Sequence, residues 1–400
     1  MRYLSYFLLI FSFPFGVLSR FSITPSVHIY LHDVFVVLII CLFFKEIARY
    51  FLKSKRNLLV VLIGLFAVSL FGIITHTHSL QEFISSFLYM VRLAAYVIIA
   101  IPLFVASGAI LNKLKISLLT SGFLFVTFGY IQYIFYPNLR NLYYLGWDEH
   151  LSRMFTTLLD PNFSGIYIFL ILLLYLSFML QNFKRSGLFK KIFYFCGGIF
   201  LMVAFLLTYS RGAYITLFVA LPVYLYLVKR GIMRIVFFVV LLLVILLLNQ
   251  SSGGEGVNLL RTASIFARFE ANTQGLLIFL QNPILGVGYN TLRFIQVEYG
   301  FVNGDNAFIS NAAAGFPNSY VVILATTGIL GFSISILILY KIWRWIRDKT
   351  KKQKSTFSYC VLASFIAVLV SSLFENTLFY GVIVLWMVLE IGILKGSTKD

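Results

Sequence analysis

Long apolar blocks of 16 to 23 residues recur along the chain, and no other feature constrains its fold as strongly. A helix of that length crosses the hydrocarbon core of a bilayer, which is ~30 Å thick. Hydrophobic residues make up 60% of the 400 residues and charged residues only 12%, which is more apolar surface than a soluble chain of this size can bury. The sequence therefore predicts an all-α polytopic membrane protein.

Twelve of these blocks are predicted to span the membrane, within a single integral membrane domain that covers residues 1–400. Their ranges are 3–19, 29–44, 57–75, 84–106, 116–136, 163–181, 191–209, 213–229, 234–249, 319–340, 357–374 and 377–394. Most connections are short, but a long external segment, residues 250–318, joins spans 9 and 10. A connection of that length usually has structure or function of its own.

The basic residues between the spans predict the orientation. The connections after spans 2, 4, 6, 8 and 10, together with the two termini, hold 24 of the 32 lysines and arginines. These connections alternate along the chain and so lie on one side, which positive residues mark as cytoplasmic. Both termini are therefore predicted to be cytoplasmic. Because the charge is distributed in this way, the net charge of +18 does not indicate a nucleic-acid partner.

Arginine persists on the predicted outer side, whereas all 16 lysines lie on the predicted cytoplasmic side. Guanidinium groups bind phosphate or carboxylate through two parallel hydrogen bonds and do not deprotonate, so this pattern favours an anionic ligand outside. Chance combined with anchoring at the interface is the alternative explanation. The outer arginines are Arg20, Arg140, Arg153, Arg211, Arg261, Arg268 and Arg293.

The periodicity of residues 261–281, within the external segment, predicts an amphipathic helix. Arg261, Arg268 and Asn272 share its polar face, and Pro283 ends it. Such a helix is typical of segments that lie along a membrane surface. A surface helix packed on the bundle is the alternative for its apolar face.

Arg92 lies inside predicted span 4, where an isolated charge is costly, and we expect it to pair inside the bundle. His28 with His32, and His76 with His78, have spacings found among metal ligands, but neither pair has an evident third ligand. The sequence therefore predicts no metal site and no cofactor.

Four stretches resemble the bacterial O-antigen polymerase and O-antigen ligase superfamily, whose members transfer lipid-linked oligosaccharides. The resemblance extends over about residues 150–335, and the four stretches occur in the family's order on the predicted outer side. They are Arg153 to Asn162, Ser210-Arg211-Gly212-Ala213, Arg268 followed by Asn282 to Gly288, and Phe316 to Tyr320 followed by Thr327 to Gly331. Ligases of this family usually carry histidine before the asparagine of the last stretch, where this chain has Pro317.

The resemblance implies a glycan donor linked to undecaprenyl pyrophosphate, an acceptor of the same kind and a location in the bacterial cytoplasmic (inner) membrane. Loss of the pyrophosphate builds negative charge, which positioned cations stabilise best where water is excluded. The chain has no Asp-x-Asp sequence to hold a metal, so arginines are the expected substitute. The sequence thus predicts a metal-independent glycosyltransferase.

Candidate site residues follow from these motifs and from the required chemistry. The predicted catalytic residues are Arg211, Arg268 and Glu270, and the predicted substrate-binding residues are Arg153, Asp160, Asn162, Ser210, Arg261, Tyr289 and Asn318. Glu298, Asp305 and Asp160 are further carboxylates that the acceptor hydroxyl could use as a base. Asp160 and Asn318 have a second interpretation, as N-caps of spans 6 and 10.

Three functions remain open on the sequence alone. A polymerase would join lipid-linked O-antigen or capsular repeat units, with a chain-length regulator as a possible protein partner. A ligase would pass the glycan to lipid A-core, although Pro317 disfavours it. A transporter or flippase is the third possibility, but the two halves show no matching interrupted spans.

Overall fold

The computed structural model describes residues 2–24, 27–53, 56–145, 148–183, 186–228, 262–304 and 312–397, and within them the chain is almost entirely helical. The helices are α1 Leu4–Ser12, α2 Leu31–Leu42, α3 Phe44–Lys53, α4 Arg56–His76, α5 Leu80–Ile98, α6 Gly108–Phe135, α7 Pro161–Asn182, α8 Leu188–Leu206, α9 Arg211–Leu227, α10 Ala263–Gln281, α11 Leu292–Glu298, α12 Ser319–Gln353, α13 Thr356–Ser371 and α14 Gly381–Gly396. Short 3-10 turns extend α1 and α5.

Among the described residues, five helices are long and apolar enough to cross a membrane, and each coincides with a predicted span. They are α5 with its 3-10 extension (Leu80–Val105), α6, α7, α8 and α12. Predicted spans 1, 2, 3, 8, 11 and 12 also coincide with helices, most of which are shorter. Predicted span 9, residues 234–249, lies outside the described residues. The number of twelve crossings therefore remains a prediction.

A short two-stranded antiparallel ribbon is an addition to the predicted all-α architecture. Strand β1 (Phe21–Thr24) pairs with β2 (Val27–Ile29) between the first two predicted spans. Alternating β-branched residues such as Ile23 and Val27 favour extended backbone. Strands of four and three residues are too short for a periodic pattern to reveal them in the sequence. The ribbon also shifts the start of the second helix from the predicted residue 29 to Leu31.

Helix α7 lies at the centre of the bundle, because its residues are buried without a break from Ser164 to Tyr175. It packs against α6, α8, α9 and α13, and α13 packs in turn against α9. A helix that is apolar all round suits such a position. At the periphery, α8 exposes large apolar side chains, including Phe189 and Phe193. An exposed apolar face of this size is expected where a helix contacts lipid.

Helix α12 is broken at Gly328, whose φ of 59° is unfavourable for any residue with a side chain. Residues 283–288 pack directly against this break, and a Cβ on Gly328 would lie 2.3 Å from the carbonyl of Ile284. Backbone hydrogen bonds from Val287 to Ala325 (3.0 Å) and from Gly288 to Thr326 (2.8 Å) join the two segments. The third and fourth family-like stretches are therefore in contact.

Helix α10 matches most of the amphipathic helix predicted for residues 261–281, and it packs along α12. Its apolar stripe is largely exposed, with Phe266 at 69% and Phe269 at 72% of full exposure. That stripe is free to contact lipid, as a helix lying on a membrane surface requires. The external location of the whole segment 250–318 remains a prediction.

Candidate functional site

The N-termini of α7, α9 and α12 each begin with a side-chain cap from a family-like stretch. Asp160 accepts hydrogen bonds from the first turn of α7 (2.7 and 3.2 Å), and Ser210 accepts one at the start of α9 (3.4 Å). Asn318 does the same for α12 (2.9 and 3.3 Å). The capping interpretation is thus correct for Asp160 and Asn318. Each of these three helix starts also carries the positive end of its helix dipole.

A buried arginine joins the first two of these starts. Arg153, which is 3% exposed, donates to the carbonyl oxygens of Thr208 (2.9 Å) and Tyr209 (3.2 Å) just before α9. It also donates to Asn162 Oδ1 (3.4 Å), which accepts a hydrogen bond from Ser210 Oγ (3.0 Å). The structure therefore brings three predicted substrate-binding residues into one network, where they support the helix starts.

Arg211 and Arg268 face each other between α9 and α10. Arg211 is the first residue of α9, and its Nη2 donates to Ser264 Oγ on α10 (2.6 Å). Arg268 lies one helical turn further along α10, and its charge acts electrostatically on Arg211. Two guanidinium groups from separate elements therefore lie near each other, an arrangement suited to an anion.

Glu375 completes this pair, and the sequence interpretation did not identify it. Arg268 forms an ion pair with the Glu375 carboxylate through Nη2 and donates to the carbonyl oxygen of Phe374 through Nη1. Phe374 also packs on Gly212, next to Arg211. Glu375 lies in the connection between α13 and α14, 107 residues from Arg268. The polar triplet Glu375-Asn376-Thr377, between two apolar blocks, was the available signal.

Burial raises the pKa of Glu375 to about 7. The positive charge of Arg268 opposes this rise, and the negative charge of Asp160 adds to it. Arg153 also lowers the pKa of Glu375, which shows that the buried network and the arginine pair act on the same carboxylate. A carboxyl group with a pKa near 7 exchanges protons at neutral pH, which is the property of a general base.

The connection that carries Glu375 is fixed to the start of α12. Ser319 N donates to the carbonyl oxygen of Ser372 (2.9 Å), and Ser319 Oγ donates to the carbonyl oxygen of Glu375 (3.2 Å). Pro317 stands just before this point, where the family's ligases usually have histidine. Glu375 therefore places a titratable group beside the position that lacks the histidine.

Two predicted site residues, Glu270 and Tyr289, lie apart from this group, and a third is not among the described residues. Glu270 is exposed and lies two residues from Arg268, about 200° around α10, on the other side of the helix. Arg261 lies outside the described residues. Tyr289 contacts Phe379, with ring centroids 5.4 Å apart, further along the connection that carries Glu375.

The other ionisable candidates among the described residues lie elsewhere. Glu298 is exposed and contacts His78 (3.4 Å), and Asp305 lies outside the described residues. Arg92 pairs with Asp33 inside the bundle, as expected for a charge within a span. Among the described residues, no group of three or more His, Cys, Asp or Glu side chains is arranged to hold a metal ion.

A comparison with models of known protein families gives a match. Residues 196–336, from α8 into α12, match the family model described as O-antigen ligase. This match confirms the resemblance that the motifs indicate, and the matched range contains Arg211 and Arg268 but not Glu375. No curated protein matches the chain.

Proposed function

We propose that the protein is a repeat-unit polymerase. Residues 196–336 match the O-antigen ligase family model, and the superfamily of that model consists of enzymes that transfer lipid-linked glycans. The protein joins undecaprenyl-pyrophosphate-linked oligosaccharide units of O-antigen or capsule at the outer face of the cytoplasmic membrane. The convergence of Arg211, Arg268 and Glu375 carries this proposal. These groups provide two cations and one titratable carboxylate at a single place.

The reaction needs one substitution at the anomeric carbon of the donor. The acceptor hydroxyl oxygen attacks that carbon, and the new glycosidic C–O bond forms. The bond between the carbon and the pyrophosphate oxygen breaks, and undecaprenyl pyrophosphate leaves with the electron pair. The proton of the hydroxyl passes to the carboxylate of Glu375, so that atoms and charge balance.

Arg211 and Arg268 are assigned to the leaving pyrophosphate. Two guanidinium groups present planar pairs of N–H donors, which match phosphate oxygens better than the single ammonium of lysine. Their charge is worth most when the developing anion is shielded from water. The side chain of Arg268 is 31% exposed, so a ligand can still reach it.

Glu375 is assigned to the acceptor hydroxyl. Its pKa of about 7 leaves part of the population ionised at neutral pH while keeping the carboxylate basic enough to accept a proton. Its ion pair with Arg268 links the base to the leaving-group site. Arg153, Asp160, Asn162 and Ser210 then act as positioning residues, because they fix the starts of α7 and α9 beside it.

A ligase is the second candidate, and the family description favours it. Pro317 argues against it, since a ligase of the usual type would need histidine there, and residues 250–318 contain no histidine. Glu375 offers a base that does not depend on that histidine. The polymerase and the ligase use the same donor and differ in the acceptor, so their products distinguish the two activities.

The test is to incubate purified protein with the lipid-linked repeat unit, with and without lipid A-core, and to separate the products by size. A polymerase forms a ladder on undecaprenyl pyrophosphate without lipid A-core. Single transfer that occurs only with lipid A-core would establish the ligase. Transbilayer movement of the substrate without any new glycosidic bond would establish a flippase.

A further inference from the structure

A second group of arginines lies around His28. This group, the His28 cluster, consists of Arg20 after α1, His28 on β2, Arg92 on α5 and Arg293 on α11. All three arginines act electrostatically on His28. The proposed reaction step uses none of them.

His28 contributes no charge to its cluster at neutral pH. Burial, together with the positive charges of Arg20, Arg293 and Arg92, lowers the pKa of His28 to about 4. The Arg20 guanidinium donates to His28 Nε2 (3.0 Å), which fixes the proton of the neutral ring on Nδ1, where it donates to Ser22 Oγ (3.0 Å). Arg20 is therefore held by a neutral partner.

Arg92 is held rigidly at the centre of the cluster. Its Nη2 contacts the Asp33 carboxylate and donates to the carbonyl oxygen of His28 (2.5 Å). Its guanidinium carbon lies 4.8 Å from the ring centroid of Tyr89 and 5.4 Å from that of Tyr30. The faces of two aromatic rings thus orient the cation, while its side chain keeps 19% of its exposure.

Arg293 joins the cluster from α11, which is about 200 residues from α5 along the chain. The segment before α11 is tied to α5, because Ser86 Oγ donates to the carbonyl oxygen of Asn290 (3.3 Å) one turn before Tyr89. Burial lowers the pKa of the Arg293 guanidinium, Tyr89 raises it, and the charge of Arg20 lowers it again. Arg20 and Arg293 are therefore near enough to repel each other.

The structure accordingly brings three guanidinium groups near one neutral ring, and like charges at such a spacing repel each other. Asp33 is engaged by Arg92, and the hydrogen bond of Arg20 goes to a neutral ring. An anion with several oxygens would offset the repulsion and accept hydrogen bonds from more than one guanidinium. All of these arginines lie on or near the predicted outer side, where the head groups of lipid-linked glycans are displayed.

The two arginine groups are separated by one short stretch of chain. Tyr380 stacks on Phe163 at the start of α7, with ring centroids 3.9 Å apart, and it lies within electrostatic reach of both Tyr30 and Asp160. Tyr289, from the loop before α11, packs on Phe379. A ligand on the His28 cluster would therefore lie next to the Glu375 site without sharing its cations.

We propose that Arg20, Arg92 and Arg293 bind the pyrophosphate of the second lipid-linked substrate, the acceptor. This inference rests on the proposed function, because a polymerase holds two pyrophosphate-bearing lipids at once. Two such anions would repel each other at a single site. Two separate cation groups allow the acceptor hydroxyl to approach the donor while both head groups stay bound.

Binding tests this inference without any glycan transfer. Purified full-length protein in detergent is titrated with undecaprenyl pyrophosphate, and we expect two equivalents to bind. Arg20→Gln with Arg293→Gln should retain one equivalent, and Arg211→Gln with Arg268→Gln should also retain one. Arg140→Gln is the matched control, an exposed outer arginine paired with Glu149, and should retain two. Two equivalents in the Arg20/Arg293 variant would overturn the proposal.

The single variants and two competitors sharpen the result. Arg20→Gln and Arg293→Gln should each weaken the second equivalent about tenfold, the loss of roughly one charged hydrogen bond. Unchanged melting temperatures show that these variants fold. If the double variant does not fold, binding to the two single variants decides the question. Inorganic pyrophosphate should displace both equivalents. Equal displacement of the second equivalent by phosphatidylglycerol would mark a general site for anionic lipids and overturn the assignment.

Kinetics then connects the site to the acceptor. A repeat unit blocked at its acceptor hydroxyl serves only as donor, and a unit on a non-cleavable phosphonate linkage serves only as acceptor. Arg20→Gln should raise KM for the acceptor about tenfold and leave KM for the donor unchanged. Normal transfer with an unchanged acceptor KM would overturn the inference alone. Two bound equivalents without any transfer would overturn only the proposed function.

Discussion

At the residue scale, Arg211 and Arg268 should not tolerate lysine. Lysine keeps the charge but loses the paired donors, and the loss of one leaving-group contact is expected to cost roughly 2–4 kcal/mol of transition-state stabilisation. We expect Arg211→Lys and Arg268→Lys each to lose most polymer while protein level and membrane insertion stay normal. The measurement is the initial rate of repeat-unit joining by purified variants.

Arg140→Lys is the control for these two variants, because Arg140 is an exposed arginine on the same predicted side. A structural role for Arg268, which also binds the Phe374 carbonyl, would appear as a lower melting temperature. Near wild-type polymer from both lysine variants would remove pyrophosphate stabilisation as their role.

Glu375 should give the reaction its dependence on pH. Burial raises the pKa of Glu375 from its usual value of 4.5 to about 7, so the carboxyl group is mostly protonated below pH 7 and then cannot accept a proton. The rate should therefore rise as pH increases through about 7, and Glu375→Gln should be slow at every pH. Rates measured on both sides of pH 7 test this, with Glu149→Gln as an exposed acidic control. If Glu375→Gln kept the normal dependence of rate on pH and Glu270→Gln lost it, Glu270 would be the general base instead.

The arginines were predictable from the sequence and Glu375 was not, for a physical reason. Arginine on a side otherwise lacking basic residues is conspicuous in a single sequence, and Arg211 also lies in a recognisable motif. The role of Glu375 depends on burial and on a contact across 107 residues, and neither is visible along the chain. Glu270 was predicted as one of the outer carboxylates, but it lies two residues from Arg268, and side chains two residues apart on a helix point in nearly opposite directions.

At the element scale, the break in α12 depends on Gly328. Alanine there would meet the backbone of Ile284 at 2.3 Å and would also adopt an unfavourable positive φ. We expect Gly328→Ala to lower the melting temperature strongly and to reduce the yield of inserted protein. Thermal unfolding of the purified variants measures the effect.

Alanine substitutions at two other glycines distinguish the effect of a positive φ from the effect of the close backbone contact. Gly300 also has a positive φ, of 70°, but nothing lies within 4 Å of its Cβ position, so Gly300→Ala should cost only about 1–2 kcal/mol. Gly187 has open space and an ordinary backbone, and Gly187→Ala should be neutral. Equal effects at all three positions would show that contact with residues 283–288 does not matter.

Most helices were predictable because apolar length depends on composition alone. The long helices α5, α6, α7, α8 and α12 all fall on predicted spans. The β-ribbon and the packing of residues 283–288 on α12 depend on contacts between distant segments, which a hydropathy pattern does not record. The position of the glycines near 286–288 was visible in the sequence, but the segment that they approach was not.

At the scale of the whole molecule, the topology is open to direct measurement. Reporter fusions after Lys191, Lys349 and Lys399 should give cytoplasmic signals, and a fusion after Gly253 should give an external one. The reason is the partition of lysine and arginine between alternate connections. The common side of the starts of α7, α9 and α12 then becomes the outer side. Opposite signals at any two of these positions would contradict twelve crossings with both termini inside.

The central claim is that arginines and one buried carboxylate join lipid-linked units without metal or nucleotide. The most direct measurement supplies purified protein with the lipid-linked repeat unit and a chelator, and follows both product size and release of undecaprenyl pyrophosphate. We predict an undiminished ladder, with one pyrophosphate released for each new linkage. A reaction that stops with the chelator and returns with magnesium or manganese would contradict the claim.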